Sequence, residues 1–498
     1  MSTFDPTRRQ LLKAAAWLPL ASACGRLAFA GDVSPPGAAQ VSLVVHPERL
    51  GRVVSDSLAG FSYETQQLEN PAFFSADNHA LVRLFRDLSP RGVLRIGGNS
   101  SDYTVWTAYR GEVPAQRTHK GGPQRPVLLK PEALHTLAGF LRATGWKLVF
   151  GVNLKIGVPA MAVELAQAVR QIVGENLIAI QIGNEANNYE ADYGAFDQAW
   201  TPYAKAIRDA GVPIAGPDTG ANTDWVIEYA KRHAGENVFL SRHYYKEAAP
   251  RGSIADLLAG DAGFHAEVEQ AMQAADISHR PFRLTEANSY YLGGRDGVSN
   301  VFASALWGAD FMLAMAQRGV AGVHFHGGTL DSIEASLGRT ADASATATDQ
   351  AARRDAVTSR YSAIAGDATL GFQARPLYYG MQLAQQFAGA QMVAADLDAA
   401  GVNLTAYAAM RGHALLIALI NKDAGRDATV SLNGLRARGE GRLMRLRAPA
   451  LDSRSGLVFE EGADAAHAGR EVTVDARGRC SVVLPRGSAA LLRLDRFV

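Results

Sequence analysis

Residues 177–185 read Leu-Ile-Ala-Ile-Gln-Ile-Gly-Asn-Glu. The first six form a short apolar run of strand length, and Gly183 ends it before two polar residues. A run buried this continuously suits a parallel strand covered on both faces. The same unit recurs on either side of it. Before it come Gly60–Tyr63, Val93–Ile96 leading into Gly97-Gly98-Asn99-Ser100, and Leu148–Val152 followed by Asn153. After it come the weak run Val212–Ala215, then Val238–His243, Phe282–Leu284 and Gly322–His326.

Amphipathic helix patterns lie between these runs, at Asn78–Leu88, Pro131–Thr144, Pro159–Val173, Trp225–Arg232 and His265–Ala275. Pro131 opens its helix and Gly145 follows its end, the expected punctuation at each terminus. Eight alternating units predict a parallel sheet closed as a (β/α)8 barrel.

The pattern changes twice on the C-terminal side. Residues 331–370 are rich in Ala, Ser, Thr and Asp, which predicts a long loop at the active-site end of the barrel. A helix pattern follows at Leu377–Phe387. From about Gln391 the period becomes that of short alternating strands: Val402–Ala406, Ala414–Ile420, Ala428–Leu432, Arg442–Arg445, Val472–Val474 and Ala489–Leu494. These predict an antiparallel β-sandwich, and the alternating stretch Gln40–Val45 is expected to join it. The organisation expected is a leader over residues 1–30, an N-terminal sandwich strand within 31–55, a barrel over 56–388 and a sandwich over 389–498.

Composition narrows the function classes. The 498 residues carry 50 Lys plus Arg against 49 Asp plus Glu, a net charge of +1, with 47% hydrophobic residues. That is globular, and it lacks the basic excess of a dedicated nucleic-acid binder. The two cysteines, Cys24 and Cys480, can build neither a disulfide framework nor a Cys-based zinc site. Arg8-Arg9, the short apolar run behind them and Ala28-Phe29-Ala30 read as a twin-arginine secretory leader. Periplasmic or secreted placement follows as an expectation, with lipid anchoring at Cys24 as the lesser variant. No segment of the mature chain reads as membrane-spanning.

Barrels of this kind carry their chemistry at the C-terminal ends of the strands. Those ends hold Glu64, Asn99, Asn153, Glu185, Asp218, His243, Glu286 and His326. No nucleophilic Ser or Cys stands among them. Glu185 closes the fourth run and Glu286 closes the seventh. Two carboxylates facing one pocket are the minimum equipment for glycoside hydrolysis, one protonated to donate to the leaving oxygen and one ionised to attack. Either residue could instead be an ordinary loop carboxylate. It is Gly-Asn-Glu on one strand together with Thr-Glu-Ala-Asn on the other that points to chemistry. His324 and His326 share a face of the eighth strand, but no third ligand is in view, and neither cofactor nor metal is expected.

Phe61-Ser-Tyr-Glu64, Leu94–Asp102, Gln181–Glu185, His243-Tyr-Tyr245, Thr285-Glu286 and Pro376–Gly380 resemble glycoside hydrolase family 79, the β-glucuronidases and heparanases, within the retaining clan of (β/α)8-barrel glycosidases. The resemblance covers roughly residues 40–498. It implies Glu185 as general acid and base, Glu286 as nucleophile, Asn184 on the sugar 2-hydroxyl and Tyr244 orienting Glu286. It implies Glu64, Asn99 and Asp102 near the other hydroxyls. It further implies that Tyr291 and Gly293, with Gly294 beside them and Tyr361 from the loop after strand eight, hold a uronate carboxylate. The implied substrate is a glucuronic-acid-containing oligo- or polysaccharide, cleaved from its end or internally. Readings that stay open are a retaining glycosidase for neutral sugars, of arabinofuranosidase or β-xylosidase type, and a non-catalytic carbohydrate-binding protein. Trp106, Tyr109, Trp200 and Tyr203 could be sugar platforms or helix packing. Arg295 could meet a second anionic sugar, and Arg117–Arg125 could meet sulfate.

Overall fold

The structure is a computed structural model, and it describes residues 37–112, 125–341, 349–435, 439–461 and 470–495. The stretch read as a leader, with Cys24, and most of the Arg117–Arg125 stretch lie outside the described residues.

Eight parallel strands close into a barrel. In chain order they are Ala59–Glu64, Val93–Gly97, Lys147–Val152, Leu177–Ile182, Ile214–Thr219, Asn237–Ala248, Phe282–Tyr291 and Gly322–Gly327. Each neighbours the next, and the eighth pairs the first. The strands predicted from sequence are present, with the fifth to seventh running further toward the mouth. The sixth and seventh stay paired out to Tyr291 and Ala248.

Helix termini are set by local chemistry. Pro131 and Pro159 each open a helix, and Gly145 closes the first of these in the left-handed region. Asn78, Asp192, Asn222 and Asp261 cap four others through their side-chain oxygens. Leu134, Leu137, Ala138 and Leu141 of Pro131–Thr144 form the buried stripe that faces the sheet.

Inside the barrel, side chains form layers because every second residue of a strand points inward. Val93, Val149, Ala179, Ala215 and Phe239 make a small apolar floor. Two residues further along three of these strands stand Arg95, Gln181 and Ser241, all fully buried. The floor therefore carries a polar layer, and the cavity lies above that.

Residues 331–370 contain more structure than composition suggested. Helix Leu330–Ser336 begins at once, capped by Thr329, and helix Gln350–Ala356 and the hairpin Ile364–Asp367/Gly371–Ala374 follow. Short helices with their own caps can form from small polar residues that carry little hydrophobic signal.

The second unit is one continuous curled sheet of ten strands, mostly antiparallel. The N-terminal strand Ala39–Val53 sits within it, antiparallel to Gln391–Asp398 and parallel to Ala428–Asn433. Strand Ala414–Asn421 shows how it joins the barrel. Leu415, Ile417 and Leu419 enter the core of the sheet, while Leu416, Ala418 and Ile420 belong to the barrel core. Asp310 on helix Phe302–Arg318 pins the junction. It accepts from Thr405 Oγ1 at 2.6 Å and Tyr407 Oη at 2.7 Å, and Lys422 Nζ lies 2.5 Å away. Cys480 is buried in the sheet, and burial pushes its thiol up to about 12. No helix among the described residues is long and apolar enough to cross a membrane.

Candidate active site

A cavity of about 350 Å³ opens at the C-terminal end of the barrel. Glu64, Asn99, Glu185, Tyr244, Glu286, Tyr291, Gly293 and Tyr361 all border it, together with His243, Tyr245 and His326. One carboxylate oxygen of Glu185, one of Glu286 and a ring nitrogen of His243 lie within 4.8 Å of one another.

Glu286 is aimed by a local irregularity. The register with the sixth strand shifts by one between Leu284 and Glu286. Such a bulge re-aims side chains. As a result Thr285 reaches Asp218 at 2.7 Å, and the next residue, Glu286, also faces inward. Glu286 Oε2 receives Arg95 Nη1 at 2.5 Å, and Oε1 receives the Tyr245 hydroxyl at 2.7 Å. Burial by itself would raise this carboxyl. The charges of His326, His243 and Arg95, with the Tyr245 bond, outweigh it and lower the group to about 2.

Glu185 is presented differently. It follows Gly183 and Asn184 and has φ of +49°, in the left-handed region. Its N–H is held by the Asp218 carbonyl at 2.9 Å. Asn188 Nδ2 donates to its Oε2 at 2.8 Å, and His243 Nδ1 lies 2.9 Å from its Oε1. The other nitrogen of His243 is 3.0 Å from Asp218 Oδ1. Burial lowers the imidazole, but Asp218 and Glu286 together drive it up to about 10. His243 is therefore an imidazolium, one nitrogen donating to the Asp218 carboxylate and the other to an oxygen of the Glu185 carboxyl group.

Arg95 is the hub. Beyond Glu286 it donates to Asp218 Oδ2 at 2.6 Å, Asn184 Oδ1 at 2.7 Å, Ser62 Oγ at 3.0 Å and Gln181 Oε1 at 3.3 Å. Asp218 has Arg95, His243, Gln181 and Thr285 around it, and its pKa falls despite burial. Buried charges persist when each is paired and hydrogen-bonded, as here.

Glu64 is nearly sealed. Its Oε2 accepts both the N–H (2.9 Å) and the hydroxyl (2.6 Å) of Ser100. Gly98 makes this approach possible, since a Cβ there would meet the Glu64 carboxylate at 2.3 Å. His326 bridges Glu64 at 3.5 Å and Glu286 at 3.6 Å.

Several sequence expectations need correction. Tyr244 does not orient Glu286, because its hydroxyl donates to Asp261 at 2.8 Å and its ring packs on Phe264 and Phe311. Strand parity is the cause. Ser241, His243 and Tyr245 point inward, so Arg242 and Tyr244 point outward. Asp102 does not border the cavity. It is buried beneath it, accepting the backbone N–H of Leu154 (3.0 Å), Lys155 (3.3 Å) and Asn184 (3.0 Å), and burial lifts its carboxyl to about 6. Asn184 lies beside the cavity, donating to Asn99 at 3.2 Å.

Trp106, Trp200 and Tyr203 are core residues. Arg295 borders a separate surface hollow with Arg339 and Arg360. Arg125 pairs with Glu69.

Arg95 and Tyr245 were missed as site residues, and Asp218, His243 and His326 were noted only as strand ends. The one signal for Arg95 was a charge inside the apolar run Val93–Ile96.

Glu185, His243 and Glu286 are the set among the described residues that could hold a cation. The charges argue otherwise. An arginine already neutralises Glu286 and the histidine is itself cationic, so the carboxylates are balanced by fixed groups.

No family model matches the chain. A β-glucuronidase of Neurospora crassa is 24% identical over 361 residues, 61% of this chain and 63% of that protein. A β-glucuronidase of Aspergillus niger is 24% identical over 304 residues, 53% and 55% of the two chains. The chain thus spans less than two thirds of the length of these relatives. Among solved structures, a 4-O-α-L-rhamnosyl-β-D-glucuronidase from Fusarium oxysporum superposes with a TM-score of 0.69 at 19% identity, covering 91% of this chain and all of that one. A GH51 arabinofuranosidase from Xanthomonas axonopodis pv. citri gives 0.64 at 15% identity, covering 92% and 100%. These two likenesses are likenesses of fold.

Proposed function

We propose that this chain is a retaining glycoside hydrolase that removes β-linked glucuronic acid. The observation that carries the reading is a close carboxylate pair and a glycine turn of positive φ, Leu292-Gly293, on the walls of one cavity. The pair supplies the reaction type. One oxygen of each lies within 4.8 Å of the other, a closeness that favours the roughly 5–5.5 Å carboxyl separation of a retaining pair over the roughly 6.5–9.5 Å of an inverting one.

In the first step Glu286 attacks the anomeric carbon while Glu185 gives its proton to the leaving oxygen. The bond to the leaving group breaks and a glycosyl ester forms on Glu286. In the second step Glu185 takes a proton from water, the water attacks the same carbon, and Glu286 leaves as carboxylate. Its low pKa makes it both an ionised nucleophile and a competent leaving group. Asn184, fixed by Arg95 and Asn99, is the partner proposed for the 2-hydroxyl.

The turn supplies the substrate class. Leu292, Gly293 and Gly294 have φ of +66°, +84° and +83°. Leu292 and Gly293 border the cavity while Gly294 packs on Tyr361, and the peptide N–H groups of a turn are neutral donors suited to an anion. Tyr361 packs behind them, its N–H bonded to the Gly293 carbonyl at 3.2 Å. Among the described residues, no Lys or Arg borders the cavity. Arg95 and His243 already serve Glu286, and neutral donors would hold a uronate carboxylate without adding another charge beside it. The names of the relatives agree with this reading. The Arg8-Arg9 leader would place the activity in the periplasm or outside the cell.

Hydrolysis of p-nitrophenyl β-glucuronide beside the β-glucoside and β-xyloside tests the proposal. Glucuronide-selective release is expected. Preference for a neutral glycoside would overturn the substrate class, and no release from any of them would overturn the reaction.

A further inference from the structure

We propose that helix Leu330–Ser336 dams the cavity on its glycone side, so that the protein removes terminal units and spares inner linkages. The inference rests on the glycosidase reading, and three observations carry it.

The first is position. The strands close in order, so the fourth and fifth stand across the barrel from the eighth and first. Glu185 ends the fourth strand, and Asn188, Gly220 and Ala221 border the cavity beside it. The leaving group must lie where the acid is. The far end of the sugar therefore faces Glu64 and His326, at the ends of the first and eighth strands, and the helix that follows the eighth.

The second is the partition. Ile333, Ser336 and Leu337, spaced three and four residues apart, border the catalytic cavity. Asp331, Ala335 and Arg339 border a different cavity of about 450 Å³, with Gln66 and Arg125 opposite. One helix thus has a cavity on each face and separates them. Its catalytic side offers Ile333 and Leu337, which cannot satisfy the hydroxyls of a further sugar.

The third is the fastening. Gln67 Oε1, on the segment after the first strand, accepts the Thr329 N–H, the Thr329 hydroxyl and the Ser332 hydroxyl, each at 3.2 Å. Thr329 also caps the helix, receiving Ser332 N–H at 3.3 Å. Leu330 N–H donates to the Val357 carbonyl at 2.8 Å. The wall is tied at its start to two neighbouring segments.

The test compares p-nitrophenyl β-glucuronide with its 4-O-methyl derivative, and the matching pair of xylosides, in wild type, Gln67→Ala and Ile333→Ala. In wild type the methyl cap is expected to lower kcat/KM by at least ~100-fold, since a rigid wall rejects added bulk. Releasing the wall with Gln67→Ala is expected to shrink that ratio by ~10-fold while the uncapped rate changes little, and trimming it with Ile333→Ala is expected to shrink the ratio by a similar factor. A cap ratio near one in wild type would overturn the dam and leave the glucuronidase reading standing. A ratio unmoved in both variants would overturn the assignment to this helix. Cleavage of xylosides alone would overturn the glucuronide reading, and the xyloside pair would then decide the dam independently.

Discussion

Two arginines are buried inside the same barrel, and they live in opposite electrostatic worlds. Arg95, in the layer beneath the cavity, touches two carboxylates, and its pKa rises. Arg283 enters near the floor from the start of the seventh strand. Its partners are the Ser57 carbonyl at 2.8 Å, the Ser57 hydroxyl at 3.2 Å and the ring of His324 at 3.2 Å. No carboxylate pairs with it among the described residues, and burial lowers it to about 10. Gly322 makes room for it, since a Cβ there would sit 2.3 Å from the guanidinium. The lower layer tolerates a charge, whereas the upper layer organises several. Only in the upper layer does each charge set the ionisation of its neighbours, and that is the property catalysis needs.

The largest break in this comparison is expected at Glu286. Glu286→Gln keeps the shape but removes both the proposed nucleophile and the anion shared by Arg95 and His243. Glucuronide hydrolysis should fall by ~10⁴-fold or more, as loss of a nucleophile typically does. Glu185→Gln should fall by ~10²–10⁴-fold, the usual worth of general acid catalysis, and less when the leaving group is already acidic. Single-turnover assays with p-nitrophenyl and alkyl glucuronides would separate the two. Equal losses on both leaving groups in Glu185→Gln would refute its role as proton donor.

Next comes the arginine pair itself. Arg95→Met strands Asp218 and Glu286 in the interior, and breaking a buried pair from one side costs about 3–5 kcal/mol. Activity should vanish with it. Arg283→Met removes a cation that has no counter-charge, and an apolar replacement of similar length should change stability by no more than ~1–2 kcal/mol, with either sign. Its activity should be that of the wild type. Urea unfolding with parallel assays reads both. Matching losses in the two variants would show that the lower arginine belongs to the same network.

Why one arginine joins the carboxylate network and the other does not could not be read from the sequence. A barrel strand is buried on both faces, so Val93–Gly97 shows no apolar–polar alternation to reveal which residues face inward. Arg95 and Arg283 look alike as single charges in apolar runs. The strand ends were legible because glycine and polar residues interrupt the runs there, which is how Glu64, Glu185 and Glu286 were found. Tyr245 was one parity step from the residue chosen, and parity needs an inward reference such as His243. The helix at Leu330 was hidden by composition, although Thr329 with Ser332 is a capping pair and Leu330, Ile333 and Leu337 have helical spacing.

The upper layer also predicts a pH window for stability. His243 is raised from 6.5 to about 10, so its contribution is complete below 6.5 and is lost as pH climbs toward 10. Glu286 is lowered from 4.5 to about 2, so its contribution is complete above 4.5 and is lost as pH falls toward 2. Both are fully present between 4.5 and 6.5. Above that window the wild type should lose up to ~1.4 kcal/mol per pH unit that His243→Gln does not lose, the slope of one proton. Parallel slopes for the two proteins, from unfolding at pH 6.5 to 9, would show that His243 is not the imidazolium described.

The smallest effect sharpens the contrast most, because it separates two adjacent residues of one type. Tyr245 and Tyr244 both carry buried hydroxyls donated to carboxylates, at 2.7 Å and 2.8 Å. Tyr245 serves Glu286 in the cavity, while Tyr244 serves Asp261, which caps helix Ala262–Ser278 on the outside of the barrel. Tyr245→Phe removes a hydrogen bond that steadies the proposed nucleophile, and kcat should fall by ~10-fold, about 1.4 kcal/mol, with KM nearly constant. Tyr244→Phe should leave kcat alone and cost ~1 kcal/mol of stability, the worth of a buried bond to a capping carboxylate. A drop in kcat from Tyr244→Phe with none from Tyr245→Phe would reverse the inward parity of the sixth strand. It would also return the orienting role to the residue that the sequence first suggested.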